Sequence, residues 1–509
     1  MELLHQLLEA LDAESKVPLF FNTKLFAVLF TLVFILQLLL AGFARARHYL
    51  LLAFSLYFYY RVVGYVELPL GGAEPLQVPF VGVLVFTALA DWLIAQQMAR
   101  TPSIGGKRAW LLLSVVITLG LLFFFKYRNF LATTWYDIAG GAEGPGYFIL
   151  FPLGISYYTF KTLSYQLDVY YEEIEKPEKD FGYYLYYVSF FPNILSGPIH
   201  RATEFLPQLR QPYTLNKEQV GRAFFLFFLG LFKKVAIADY LGVNYVDRIF
   251  DNPAMYSGFE NLMGSLLYGV QLFFDFSSYT EMALGIALLL GFELSPNFNE
   301  PFKAKNISEF WRRWHISLST WFNDYVYTPL SFSWRSLKRW GAILAVLVTF
   351  FLSGIWHGPN WTFILWGTSH GVAIAWETAT RKSRGKLRKQ MHPGLYDSLS
   401  LLLTFAFLTL TYVFFKSKDL TAAWTMYGQI FTNFAPELIG QWFAEYWRVV
   451  VVMVAGFLIM YLPTTWKDFL RSSYISLPWY VQAVVNFIVL LIVLQIAAAD
   501  LQPFIYMQF

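Results

Sequence analysis

The sequence predicts an all-α, polytopic membrane protein, and three observations carry that prediction. Of 509 residues, 57% are hydrophobic and only 14% charged, a balance far from that of soluble globular chains. The apolar residues gather in runs long enough to cross a bilayer, for which about 20 helical residues suffice. The loops between the runs alternate between basic and acidic, as they do when positive loops stay in the cytoplasm. Counting interrupted segments, the chain should form roughly a dozen transmembrane or re-entrant helices in a single membrane domain, 1–509. Its net charge of +4 is spread over short loops, with no basic patch suited to nucleic acid. The absence of cysteine excludes disulfides, a thiolate nucleophile, Cys-ligated metal and S-palmitoylation. Seven histidines are left for acid–base chemistry near neutral pH.

Residues 1–22 set leucines 3, 4, 7, 8 and 11 against Glu2, Glu9, Asp12 and Glu14, a helical stripe expected to lie at the membrane surface and not a signal peptide. A first span near 24–42 ends at Arg45, Arg47 and His48, which puts the N-terminus outside. Spans near 48–66, 78–98 and 109–126 follow through an acidic loop at Glu67 and Glu74 and a basic one at Arg100, Lys107 and Arg108. These N-terminal elements, 1–130, read as peripheral helices, with Asp91 inside the third in need of a partner. From Gly146 the runs become interrupted. Phe151-Pro152-Leu153-Gly154 and Phe191-Pro192-Asn193-Ile194-Leu195-Ser196-Gly197-Pro198 place helix breakers at membrane depth. Broken backbone is tolerated there only where protein or a water-filled cavity surrounds it, so 146–380 is the expected working core. The charged stretch 171–179 reads as a solvated loop without chemistry. Spans near 220–240 and 260–290 lead into the segments below. The C-terminal part, 396–509, should hold spans near 396–415, 447–463 and 478–498 around an external stretch, 416–446, with the C-terminus outside.

One stretch organises the core. From Gly341 to Trp376 there is no Lys, Arg, Asp or Glu, yet Arg335, Lys338 and Arg339 precede it, and Arg381, Lys382, Arg384, Lys386, Arg388 and Lys389 follow. Basic flanks on both sides require the segment to enter the membrane and return, and Gly354-Ile355-Trp356-His357-Gly358-Pro359 places the turn at His357. An arm such as 341–355 reaches only about 22 Å, short of the roughly 30 Å hydrocarbon layer. An ionisable residue held at that depth is a functional candidate. Upstream, Asn306 to Tyr325 reads as one amphipathic helix, capped by Asn306 or Ser308, with Trp311, Trp314, Leu318, Trp321 and Tyr325 on one face. His315 lies one turn beyond Trp311.

No phosphate loop, zinc motif, nucleophile elbow or dinucleotide fingerprint is present, and no metal is expected. Two histidines in or near the membrane leave an economical scheme in which an imidazole acts as general base on a hydroxyl that attacks an activated acyl group. An unperturbed imidazole pKa of about 6.5 suits that role.

The motifs themselves are distinctive. Asn297-Phe298-Asn299 with Pro301, Phe310-Trp311-Arg312-Arg313-Trp314-His315-Ile316-Ser317-Leu318-Ser319, Trp321-Phe322 with Asp324-Tyr325, and Ser353-Gly354-Ile355-Trp356-His357-Gly358 closely resemble the membrane-bound O-acyltransferase (MBOAT) superfamily. Gly154-Ile155-Ser156, Asp168-Val169-Tyr170, Phe190-Phe191-Pro192, Ser196-Gly197-Pro198-Ile199 and Phe504-Ile505-Tyr506 are similar to its branch that O-acetylates alginate and other bacterial exopolysaccharides. The resemblance spans nearly the whole chain. It implies that His357 is the catalytic histidine, that His315 is a supporting catalytic residue, and that the helices surround a central tunnel from the cytoplasmic to the outer face of the bacterial inner membrane. It further implies acetyl-CoA or another acyl thioester, free or on an acyl carrier protein, as cytoplasmic donor substrate, no bound cofactor, and an extracytoplasmic acetyltransferase or polymer-modifying partner. Trp311, Trp356, Asp324, Asn360 and His370 are candidates to line or support the tunnel; Arg312 and Arg313, with Lys303 and Lys305, could meet donor phosphates. The chain departs from the pattern at Asn193, Leu195-Ser196, Ile355 and Pro359, none of which touches the histidines' positions. Alternatives are D-alanyl transfer to teichoic acid from a carrier protein, a conduit for acyl groups or glycans that forms no bond, and a scaffold for polymer export. The extended C-terminal region with Phe504-Ile505-Tyr506 argues against the first, and the lack of an inverted repeat against the second.

Overall fold

The structure, a computed structural model, describes residues 18–68, 76–139, 152–497 and 502–507. The stripe at 1–17, Glu74, Gly146 and Phe151 lie outside the described residues. The chain is helical as expected, with one addition, a short antiparallel hairpin pairing Tyr65–Leu68 with Leu76–Pro79. Gly64, at φ +70°, stops the preceding helix, and Tyr65, Val66 and Val78 are good strand formers. Among the described residues, six helices are long and apolar enough to cross a membrane, and a pair bent by 89°, Pro436–Glu445 with Trp447–Tyr461, forms a broken span or a re-entrant loop. The other apolar segments are shorter or interrupted.

Two compact units divide the chain. The first holds residues up to Ala223 with Ala283–Leu294. Its helices are α1 (Lys24–Leu39), α2 (Ala44–Val63), α3 (Phe80–Arg100), α4 (Ile104–Ala139), α5 (Ile155–Tyr170) and α6 (Phe181–Ser189). The sequence suggested that α4 stops near 126. It continues through a π turn at Phe123–Tyr127, since no proline interrupts it. Asp91 of α3 finds its partners on α4, where Ser114 and Thr118 donate to its carboxylate. The two broken segments meet. Gly154 adopts a left-handed φ of +80°, and a Cβ there would lie 2.6 Å from the Ile194 carbonyl oxygen, so both the dihedral and the approach require glycine. Buried Lys161 donates to Asn193 Oδ1 at 3.0 Å and to the Val188 carbonyl at 3.3 Å, while Asn193 Nδ2 donates to the Pro198 carbonyl at 3.2 Å. Protein groups thus satisfy backbone that no regular helix serves.

The second unit, Phe224–Met282 with Ser295–Phe509, carries His315, His357 and His370. The chain passes along α7 (Lys217–Phe232), π turns at Lys233–Asp239 and Gly242–Val246, and α8 (Gly258–Leu289). Then come α9 (Ile307–Arg313), α10 (Ile316–Phe322), α11 (Arg339–His357), α12 (Trp361–Gln390) and α13 (Pro393–Lys416). The stretch after α13 holds two helices, α14 (Leu420–Thr432) and α15 (Ile439–Glu445), and α16 (Trp447–Tyr461), α17 (Thr464–Ser476) and α18 (Trp479–Ile496) follow. The α11–α12 hairpin confirms the predicted reversal after His357. Its helices approach closely because both carry glycine at the crossing: a Cβ on Gly354 would lie 2.6 Å from the Phe363 carbonyl oxygen, and one on Gly367 2.5 Å from that of Phe350. The 19 residues of α11 span about 28 Å at 1.5 Å per residue, longer than the arm read from sequence. Length and composition therefore make α11 a full span, and His357 owes its burial to the side chains packed on it.

The single helix expected over 306–325 is a correction. It breaks between α9 and α10 at His315, which takes a left-handed φ of +43°. The preceding Asn297 motif stabilises the break. The Ile316 amide donates to the Asn297 carbonyl at 2.9 Å, Asn297 Oδ1 accepts from the Ser317 amide and hydroxyl at 3.2 and 2.7 Å, and the Asn299 amide donates to the Arg313 carbonyl at 2.9 Å. Asn306, the N-cap of α9, accepts from the Glu309 amide at 2.8 Å, whereas the Ser308 hydroxyl donates to Glu377.

Candidate active site

His357 ends α11, with 3% of its surface exposed. Its Nδ1 lies 2.6 Å from the Ser353 carbonyl oxygen, one turn earlier. A carbonyl can only accept, so Nδ1 carries the hydrogen and Nε2 holds the basic lone pair. The ring is fixed on several sides. Ring centroids of Trp366, Trp356, Phe415 and Tyr506 stand 4.6, 5.1, 5.6 and 6.3 Å away. A tautomer pinned among aromatic rings suits a general base, because the imidazole need not reorient to present Nε2.

His315 is fully buried. Left-handed backbone at a residue other than glycine costs about 1–2 kcal/mol, and it turns this side chain inward where a continuous helix would have left it on a face. Its ring meets Phe276 at 4.7 Å, Tyr506 at 5.9 Å and Trp356 at 6.2 Å. Trp356 and Tyr506 therefore contact both imidazoles, and the two histidines predicted from sequence belong to one aromatic cluster.

The other candidates separate by role. Trp311 Nε1 donates to His370 Nδ1 at 3.2 Å, and His370 Nε2 lies 3.3 Å from the Thr411 hydroxyl. With Nδ1 accepting, Nε2 is the protonated nitrogen, and both are engaged in holding α9, α12 and α13 together. Asn360 caps α12, accepting from the Thr362 amide at 3.0 Å and donating to the Lys418 carbonyl at 2.7 Å. Asp324 is exposed and accepts from Asn323. Arg313 is bound to Glu309 at 2.9 Å and to the Asn299 carbonyl at 3.2 Å, and Lys303 and Lys305 pair with Glu300 and Asp397. Arg312 is exposed and borders a cleft of about 610 Å³ together with Trp311, Ser319, Thr349, Phe350 and Ser353. That cleft ends one helical turn from His357. The Trp311 indole on its wall touches Trp366, whose ring touches His357.

Sequence reasoning did not assign roles to Tyr506, Trp366 and Ser353. Trp366 follows from helical spacing, since it lies one turn before His370 on α12. Ser353 acts through its carbonyl, which no side-chain pattern reveals. Tyr506 lies far along the chain, in a strap that packs its ring 4.0 Å from Phe276, and no local spacing connects it to either histidine.

The sequence profile of the family MBOAT, membrane-bound O-acyltransferase, matches residues 148–393. The chain is 34% identical to the peptidoglycan O-acetyltransferase of Helicobacter pylori over 80% of its own length and 78% of the relative's. It is 35% identical to the "Probable alginate O-acetylase AlgI" of Pseudomonas aeruginosa over 81% and 75%. The teichoic acid D-alanyltransferase of Bacillus subtilis is 31% identical over 52% of this chain and 69% of its own.

Proposed function

Because the chain belongs to the membrane-bound O-acyltransferase family, we propose that this acyltransferase moves an acetyl group from a cytoplasmic thioester, acetyl-CoA or an acyl carrier protein, for O-acetylation of an exported bacterial polysaccharide, through an extracytoplasmic partner. The observation that carries the reading is the tautomer of His357. With Nδ1–H bound to the Ser353 carbonyl, Nε2 carries no proton and takes one from the acceptor hydroxyl. The oxygen attacks the thioester carbonyl, the new C–O bond replaces the C–S bond, and the imidazolium returns the proton to the departing thiolate. His315 supports the transfer from within the same aromatic cluster, and the cleft bordered by Arg312 receives the donor, its guanidinium meeting phosphate oxygens.

Acetyl transfer is favoured over D-alanyl transfer. The O-acetylating relatives align with about four-fifths of this chain, the teichoic acid enzyme with about half. The inner membrane, with both termini outside, fits the alternation of basic and acidic loops.

The test is transfer from radiolabelled acetyl-CoA by purified protein in lipid vesicles, comparing the native chain with His357→Ala and His315→Ala at matched folding. Loss of labelled product in His357→Ala with donor binding intact is the expected result. Unchanged turnover would remove His357 from the chemistry and favour a conduit or scaffold.

A further inference from the structure

A cluster of buried charge away from the histidines holds the strap that carries Tyr506. Lys234, in the π turn Lys233–Asp239, has 1% of its side chain exposed and Asp275 of α8 has 2%. Lys234 Nζ reaches Asp275 Oδ1 at 2.7 Å, Asp239 Oδ1 at 2.7 Å and the Pro503 carbonyl at 3.1 Å, so each of its three protons has an acceptor. The second carboxylate oxygen of Asp275 accepts from the Ile505 amide at 2.8 Å. Between these two anchored backbone groups, the Phe504 ring lies under the Lys234 ammonium at 4.6 Å and meets the Tyr279 ring at 5.1 Å. Pro503, Phe504 and Ile505 are thus held in succession, and the next residue is Tyr506.

Burying one ammonium and two carboxylates is costly, and apolar residues of similar size could join the same helices without that cost. Apolar residues could not, however, take the Pro503 carbonyl and the Ile505 amide in register. The charges therefore set where the strap sits. Phe276, next to Asp275 on α8, touches both Tyr506 and His315, so adjacent residues of one helix hold the strap and pack on the histidine cluster.

We propose that Lys234 and Asp275 are positioning residues for acyl transfer: they lock the backbone of 503–505 so that the Tyr506 phenol is presented to His315 and His357. This rests on the acyltransfer reading for its kinetic consequence and on packing alone for its structural one, and the two are tested apart.

The chain has no native cysteine, so Ile505→Cys supplies a single thiol at a position now 3% exposed. In that background, Lys234→Met should speed maleimide labelling by an order of magnitude or more, with Asp275→Asn as the milder variant should Lys234→Met fail to fold. Labelling as slow as in the parent for a folded latch variant would overturn the latch, whether or not transfer is detected. A rapidly labelled latch variant beside an inactive native chain would leave the latch standing and defeat the acyltransfer reading instead. For the kinetic consequence, displacement of the phenol by about 1 Å should lower the transfer rate on the order of 100-fold while the donor KM holds. The same substitution made in Tyr506→Phe should cost little more, because residues acting through one group do not add. Losses that multiply would show that Lys234 supports the fold generally, and would overturn the positioning role.

Discussion

Replacing Gly354 with alanine should disable the site without touching any reacting group. The new Cβ would stand 2.6 Å from the Phe363 carbonyl oxygen. Ordinary contact begins at 3.4 Å, so α11 and α12 must separate by about 0.8 Å (3.4 − 2.6). Backbone on both sides leaves no flexible side chain to yield. Over-packing of this kind costs about 1–3 kcal/mol. The larger effect is geometric, because Ser353 and His357 ride on α11 and Trp366 on α12. A misplacement approaching 1 Å lowers a positioned reaction on the order of 100-fold. The assay is acetyl transfer in vesicles, with thermal unfolding in the same vesicles to confirm that the variant remains folded at the assay temperature. A folded Gly354→Ala protein that transfers at the native rate would refute the argument that the helix crossing sets the position of His357.

Other outcomes follow from the same geometry. Tyr506→Phe keeps the ring that packs on Phe276 and removes only the hydroxyl; a rate loss of about 100-fold or more, the lower end of the 10²–10⁴ that an acid–base group contributes, would assign the hydroxyl to the chemistry, and a native rate would reduce Tyr506 to a wall. Arg312→Gln should raise the donor KM with kcat little changed, as loss of uniform binding does; an unaltered KM would place donor recognition elsewhere. Glu300 offers a check on stability against pH. Burial alone would raise its carboxyl pKa, but hydrogen bonds from Lys303 and Lys467 outweigh that and hold it below the usual value. Its contribution is therefore present above the unfolded carboxyl pKa of about 4.3 and is lost as pH falls through the folded value. The difference in Tm between native and Glu300→Gln should be evident near neutral pH and shrink in acid, and a constant difference would refute the assignment.

The sequence by itself determined what depends on local pattern. Hydropathy and loop charge identify a helical membrane protein because the bilayer demands satisfied backbone and rewards apolar runs of fixed length. The apolar stretch with His357 beside Gly358-Pro359 announced a hairpin, and His315 and His357 pack on the same two rings, Trp356 and Tyr506. The helix over 306–325 went wrong because its side-chain spacing fits α-geometry throughout. What breaks it is Asn297, some twenty residues earlier, offering the Ile316 and Ser317 groups an alternative to the helix. Asn360 and His370 carried the right residue types for a site, yet their hydrogen bonds go to a helix cap and to an interhelical brace. Only the tertiary structure decided which nitrogen of His357 is basic, since the Ser353 carbonyl that fixes it is a backbone atom common to every residue. Only tertiary structure, too, brings Tyr506 to the histidines: its position depends on Lys234 and Asp275, whose buried charges pair with backbone hundreds of residues away.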